Sequence, residues 1–314
     1  MGDDLLDFLD DLDKKPLAAK PAAMESKPAP DPAAKENQAK QPPKEKEDPI
    51  LLIRVQCPLC QGTLIEHQEL KAKSVTISLD RFCVPLFGES AKYKTVDYNL
   101  KSVTVCPQCL FASPDRRDFI GKNPVTGKPD KSQLSENILK ELGESKGARQ
   151  EIYRKFSGGP NLFEHERTRK MAVLSYHLSI HRATAEIKFK NPRAYFKRGF
   201  TWAKIALLER QEGRDGKAAL ENARKDYEVA FTAWDFPNDE YGFQTVYSMG
   251  AIWYYSGNKD EATKYVSLLD KYRMDLEQKA KKDSAIQTGP IRKWVGIARD
   301  MWERKDEPGW WDVK

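Results

Sequence analysis

Two Cys-Pro-x-Cys pairs, Cys57-Pro58-Leu59-Cys60 and Cys106-Pro107-Gln108-Cys109, stand 45 residues apart. A pair at this spacing presents two thiolates from one tight turn, because the proline presets φ and the N–H groups that follow point at sulfur. Two such turns supply four soft ligands for a tetrahedral zinc ion. Four cysteines also close the coordination sphere, so the expected zinc is structural and not catalytic. Two other readings stand beside this one. The cysteines can be buried core thiols, or either pair can be a thioredoxin-like redox dithiol; the latter would open a helix after a strand, and neither pair is followed by a helical pattern. The fifth cysteine, Cys83 in Asp80-Arg81-Phe82-Cys83, reads as a small buried hydrophobe rather than a ligand.

Other chemistry-bearing patterns are sparse. His177 and His181 are spaced i, i+4 on an expected helix, but no carboxylate beside them completes a helical metal motif, and they read as structural histidines. His67 and His165 are isolated, and the sequence holds no nucleophile elbow, phosphate-binding loop or dinucleotide fingerprint. The expectation is a protein that is not an enzyme.

The elements that must position the four cysteines follow from hydrophobic period. Leu51, Ile53 and Val55 alternate up to Cys57, and Val103 and Val105 alternate up to Cys106, as strands feeding two knuckles would. Val75, Ile77 and Leu79 form another alternation, and 95–105 reads as one or two strands broken near Asn99. So small a unit buries little apolar surface, whereas structural zinc contributes about 10–16 kcal/mol of apparent folding free energy. Without metal the head is expected to melt.

From about residue 161 the period becomes helical. Asn191-Pro192 and Gly289-Pro290 read as helix openings and Gly257 as a stop. A tetratricopeptide-like pattern occurs twice. Gly250, Trp253, Gly257 and Ala262 keep its spacing, whereas Gly199 and Trp202 are followed by Ala223, Tyr227 and Ala230 only after an enlarged turn. The predicted fold class is therefore α+β: a small antiparallel zinc-ribbon-like β domain at 50–112, a connector at 113–160 with one helical stretch over about 133–156, and an all-α repeat domain at 161–314.

Before the head lie two segments of different character. Residues 14–49 hold eight of the 19 prolines, eight alanines and no aromatic residue, the composition of a disordered linker. Residues 1–13 carry six Asp and no Lys or Arg, and Leu5, Phe8, Leu9 and Leu12 share one helical face. That face suits a docking motif for a partner's groove. With a formal charge of +6 overall, subtracting this acidic segment leaves +12 for residues 14–314. The excess is spread thinly, and residues 50–112 hold seven Lys or Arg against five Asp or Glu, so nucleic acid is not indicated as a partner. No stretch is long and apolar enough to span a membrane, and the acidic start is unlike a secretory leader. A cytoplasmic location is expected, where thiols stay reduced and available to metal.

With these motifs in order, namely the Cys57/Cys60 knuckle, Asp80-Arg81-Phe82-Cys83, the Cys106/Cys109 knuckle, Asp235-Phe236-Pro237 and the Gly250–Gly257 stretch, the chain resembles the bacterial domain of unknown function 2225 family. The resemblance covers nearly everything after residue 49 and implies a Cys-Pro-x-Cys head with a helical-repeat tail. It also implies glycine after the second cysteine of each knuckle, where this chain has Gln61 and Leu110. A left-handed backbone there costs about 1 kcal/mol or more.

The family assigns no activity, so the functional expectation rests on the tail. Helical repeats bind through the concave face made by their first helices. That face would present Arg193, Phe196, Lys197, Phe200 and Lys204 from one repeat and Tyr247, Tyr254 and Tyr255 from the next, a basic and aromatic groove for an acidic peptide with apolar anchors. Several of these side chains can alternatively contact the connector. The chain's own segment 1–13 is a candidate occupant, since a 36-residue linker spans roughly 30–36 Å and gives a local concentration near the millimolar range. The expected function is a cytoplasmic, non-enzymatic protein–protein interaction adaptor with structural zinc. A nucleic-acid-binding zinc-ribbon protein and a thiol redox protein are the alternatives. Gly309-Trp310-Trp311 is expected to pack back on the last helices.

Overall fold

The computed structural model describes residues 45–62, 64–122, 129–156 and 166–312. The 1–13 motif with Leu5, Phe8, Leu9 and Leu12, the linker as far as residue 44, and His165 lie outside the described residues.

Among the described residues the front of the chain consists of four antiparallel strand pairs. These are β1 (Ile50–Gln56) with β2 (Leu64–Leu70), β3 (Thr76–Leu79) with β4 (Pro85–Gly88), β5 (Thr104–Val105) with β6 (Ala112–Ser113), and β7 (Gly121–Lys122) with β8 (Pro129–Asp130). Each Cys-Pro-x-Cys knuckle lies in the connection of one hairpin, the first between β1 and β2 and the second between β5 and β6. The β1/β2 register sets Ile53 opposite His67 and Val55 opposite Ile65. This turns the buried Val55 and His67 toward the interior on one pleat. The 95–105 stretch is only partly extended. The Asp97 carboxylate accepts from the Asn99 N–H at 3.0 Å and starts a 3-10 turn over Tyr98–Leu100, a local bond that competes with ladder pairing.

Eight helices follow among the described residues: α1 (Glu136–Glu144), α2 (Lys146–Lys155), α3 (Arg169–Lys188), α4 (Ala194–Gln211), α5 (Lys217–Ala233), α6 (Asp239–Tyr255), α7 (Lys259–Ala280) and α8 (Gly289–Arg304). The single helix expected over 133–156 is two. Ser145 divides them, its hydroxyl turned back to the Glu141 carbonyl at 2.8 Å. Side-chain caps start the longer helices: Thr168 accepts from the Met171 N–H, Asn238 from Tyr241 and Asn258 from Glu261. Gly257 ends α6 as its pattern predicts. Its φ of +92° lets the Asn258 N–H return to the Trp253 carbonyl at 2.9 Å. Asn191-Pro192 does not open α4, however. Arg193 is left-handed, its N–H is held by the Asp235 carboxylate, and the helix begins at Ala194.

Glycines let the helices of each pair approach. A Cβ on Gly199 would stand 2.7 Å from the Tyr227 ring, and one on Gly250 would stand 3.3 Å from Tyr265 Cβ. Head and tail do not pack separately. Phe82, Cys83, Val84, Val103, Val105 and Ala112 of the front share one core with α3, α4, α5 and α6. The expected boundary at 112/113 therefore does not divide the packing, and that at 160/161 lies outside the described residues.

The β3–β4 loop makes that junction. The Asp80 carboxylate accepts from the N–H groups of Phe82 at 2.9 Å and Val84 at 2.8 Å, and its other oxygen accepts from Arg210 of α4 at 3.1 Å. The Arg81 guanidinium lies 3.5 Å over the Trp310 ring, with Arg304 at 4.2 Å from the same ring. Phe82 packs against Tyr255 and Trp311, with ring centroids 5.4 and 5.7 Å away. Gln244 of α6 donates to the Cys83 carbonyl at 3.3 Å. The terminal tryptophans fold back onto α8 and this loop, as the sequence predicts.

Candidate metal centre

Cys57 follows β1 directly and Cys106 follows β5 directly, so each hairpin delivers its first sulfur at a fixed register. The two knuckles are built alike. The Gln61 N–H donates to the Cys57 carbonyl at 3.1 Å, and the Leu110 N–H donates to the Cys106 carbonyl at 2.9 Å. Both closing residues adopt the left-handed conformation, at φ 45° and 59°. The missing glycines therefore leave the turns unchanged in type and strained at two side chains.

The two turns meet face to face. Cys57 Sγ lies 3.5 Å from Cys109 Sγ, Cys60 Sγ lies 3.5 Å from Cys106 Sγ, and all four sulfurs fall within 4.8 Å of one another. A tetrahedron with metal–sulfur bonds near 2.3 Å has edges of about 3.8 Å, so the spacing suits one soft cation at the centre. It is too long for a disulfide, whose sulfurs sit about 2.0 Å apart. Three of the cysteines are buried and Cys60 is exposed.

The surroundings favour negative sulfur at selected positions. Hydrogen bonds from Cys109 and Cys57 pull the Cys106 thiol far below its ordinary range, helped by the N–H groups of Cys109 and Gln108. Hydrogen bonding to Cys106 pushes Cys57 and Cys109 the other way, with burial adding to both. Cys57, Cys106 and Cys109 thus hold their protons unequally. A bound cation would replace those protons and stabilise all four thiolates. Among the described residues these four cysteines are the group of metal-donor side chains that converges, and Cys83 lies apart from them in the shared core. Burial pushes the Cys83 thiol well up, as for an inert core cysteine.

A second core surrounds the site. Val55, Phe111 and Phe119 from the strand region pack with Leu134, Ile138 and Leu142 of the connector, and Ala185 of α3. The connector thus forms a wall of the site.

The eight residues expected to line a groove do not form an open one. Phe196, Lys204, Tyr247 and Tyr254 are buried. Phe196 packs edge-on against Phe236 and Tyr241, Tyr247 lies against Trp294, and Tyr254 stacks on Trp311. The Lys204 ammonium lies over the Phe200 and Tyr176 rings, at 5.1 and 5.7 Å. Arg193, Lys197, Phe200 and Tyr255 are half-buried. Lys197 pairs with Glu186 at 3.0 Å, and Tyr255 meets Phe82. The physical reason is competition: aromatic and basic side chains that suit an acidic peptide also suit Phe236, Tyr241 and Trp294 of the tail, the Asp80–Val84 loop and the terminal tryptophans. His177 and His181 take no metal partner among the described residues. His177 lies between the rings of Phe156 and Trp202, each 5.4 Å away.

Sequence reasoning missed a buried ionic network behind the site. Arg182 pairs with Asp118 and, at 2.6 Å, with Glu186, which also holds Asn191 and Lys197. All three central groups are almost wholly buried. The i, i+4 spacing of Arg182 and Glu186 was visible, but nothing in it distinguishes a buried pair from a surface pair.

No described helix is long and apolar enough to cross a membrane. Searches of curated proteins and of solved structures found no match. A family model described as an uncharacterized protein conserved in bacteria (DUF2225) matches residues 53–288, more than half of the chain. Both knuckles and most of the helical tail lie within that span, and the chain belongs to this family.

Proposed function

We propose that this protein is a non-enzymatic protein–protein interaction adaptor whose head is locked by a structural zinc ion. The zinc reading is supported by the closed set of four sulfurs, which leaves no vertex for substrate or water. The adaptor reading is carried by one observation: the helical tail holds the Asp80–Val84 loop as it would hold a peptide. A carboxylate meets Arg210, a phenyl ring enters an aromatic cradle, and backbone carbonyls face Gln244 and Ser248. The chemistry this surface favours is acidic with a large apolar anchor, and an incoming peptide of that kind would use the half-buried rim at Arg193, Lys197 and Phe200 or compete with the loop. The partner is a protein displaying such a segment, and the setting is the cytoplasm.

The test is a titration of a labelled peptide with the sequence of residues 1–13, which has this chemistry, against the chain lacking those residues. Saturable binding that weakens with added salt is expected. Absence of saturable binding at low salt contradicts the adaptor reading.

A further inference from the structure

Helix α2 buries one side chain, and that side chain is an arginine. Arg149 is 1% exposed and ranks among the largest fully buried residues of the protein. Its Nε donates to the carbonyl of Cys109 at 2.9 Å, and its Nη1 donates to the carbonyl of Leu142 at 2.5 Å and weakly to Ser145 Oγ at 3.4 Å. Its Nη2 is buried and has no hydrogen-bond partner. No carboxylate is paired with it among the described residues. The sulfurs of Cys109, Cys57 and Cys106 lie near enough to stabilise its charge once they are ionised.

A guanidinium buried without a counter-charge is strongly destabilising. Two carbonyls cap its hydrogen bonds but do not balance its charge. A divalent ion held by four thiolates carries a net charge of two minus, which is itself costly to bury. The two penalties cancel in part when the groups are neighbours.

We propose that Arg149 is the counter-charge of the metal centre: a positioning residue that offsets the excess charge of the metal–tetrathiolate group and fastens α2 to the second knuckle through the Cys109 carbonyl. This rests on the metal reading given above. It adds a polar anchor to a helix whose Ile152 and Tyr153 pack only partly buried against the shared core. It also couples metal occupancy to the order of α1 and α2, since Arg149 bridges the end of α1 at Leu142 and the knuckle at Cys109. Residues around a metal that tune its ligands typically change affinity by about 10- to 100-fold when removed.

The experiment compares the full chain with Arg149→Lys, Arg149→Gln and Arg149→Met. Zinc affinity is measured by competition with a chromophoric chelator, and the sulfur-to-metal charge-transfer band is recorded after cobalt substitution. Lysine keeps the charge, glutamine keeps a hydrogen-bond donor without the charge, and methionine keeps neither. The expected result is roughly 10- to 100-fold weaker zinc binding for Arg149→Gln and Arg149→Met, with a shifted cobalt band, and Arg149→Lys within about threefold of the wild type. Wild-type zinc affinity in Arg149→Gln overturns the proposal and leaves the metal reading standing, because a mere cap would be preserved by glutamine. An Arg149→Lys as weak as Arg149→Gln also overturns it. If Arg149→Met does not fold, the lysine and glutamine variants decide. A wild type that takes up neither zinc nor cobalt removes the metal reading and this proposal together.

Discussion

Gln61 and Leu110 occupy the same left-handed position, one turn after the first cysteine of each knuckle, with φ values of 45° and 59°. Their surroundings differ. Gln61 is exposed, whereas Leu110 is buried in the core shared by head and tail. Glycine relieves about 1 kcal/mol of left-handed strain at either site, less a few tenths for the freer unfolded chain. Gln61→Gly is therefore expected to raise the unfolding free energy by about 0.5 kcal/mol. Leu110→Gly loses a buried side chain and is expected to lower it by about 2 kcal/mol or more. Denaturant unfolding of both variants checks the opposite signs.

Removing Arg182 leaves two buried carboxylates, Asp118 and Glu186, with most of their counter-charge gone. Breaking a buried pair from one side costs about 3–5 kcal/mol. Arg182→Ala is expected to lose that much in thermal or denaturant unfolding, and a loss below about 1 kcal/mol, typical of surface pairs, would contradict the network's burial.

Burial lowers His67 from 6.5 to about 4, with its Nδ1 held 2.8 Å from Thr104 Oγ1. The unfolded chain takes up a proton near pH 6.5 that the folded chain resists until about pH 4. The stabilisation from neutral His67 is thus complete above pH 6.5 and is lost as pH falls from 6.5 to 4, by about 3 kcal/mol. Metal release from the cysteines also weakens the protein in acid, so the comparison is with His67→Gln. The variant is expected to show a shallower decline over that window, and equal slopes would contradict the assignment.

Trp310 is held between the guanidinium groups of Arg81 and Arg304 and holds the Asp80–Val84 loop on the tail. Trp310→Ala is expected to cost about 3–5 kcal/mol and to expose Cys83, which is 3% accessible in the intact protein. Mass spectrometry after brief alkylation should show a modified Cys83 in the variant and an unmodified one in the wild type.

Much of this was legible in residue types. The four-cysteine cluster was legible because paired cysteines at two-residue spacing have few other uses, and alternation before Cys57 placed β1 to within a residue. The stop at Gly257 was legible because a left-handed end favours glycine. Arg149, Arg182 and Asp118 were not, because charged residues default to the surface and only the folded chain shows where they are enclosed. The groove at Phe196, Tyr247 and Tyr254 was misread for a related reason. The sequence shows that a face is aromatic and basic, but not that Phe236, Trp294 and Trp311 will cover it.

If one metal ion held by Cys57, Cys60, Cys106 and Cys109 builds the head, native mass spectrometry of the full chain before and after treatment with a strong chelator will show it. The expected result is one zinc per chain, four cysteines resistant to alkylation until the metal is stripped, and loss of hydrogen-exchange protection in 50–113 and α1–α2 on stripping. A metal-free protein whose head keeps its protection and whose four knuckle thiols react at once would contradict it.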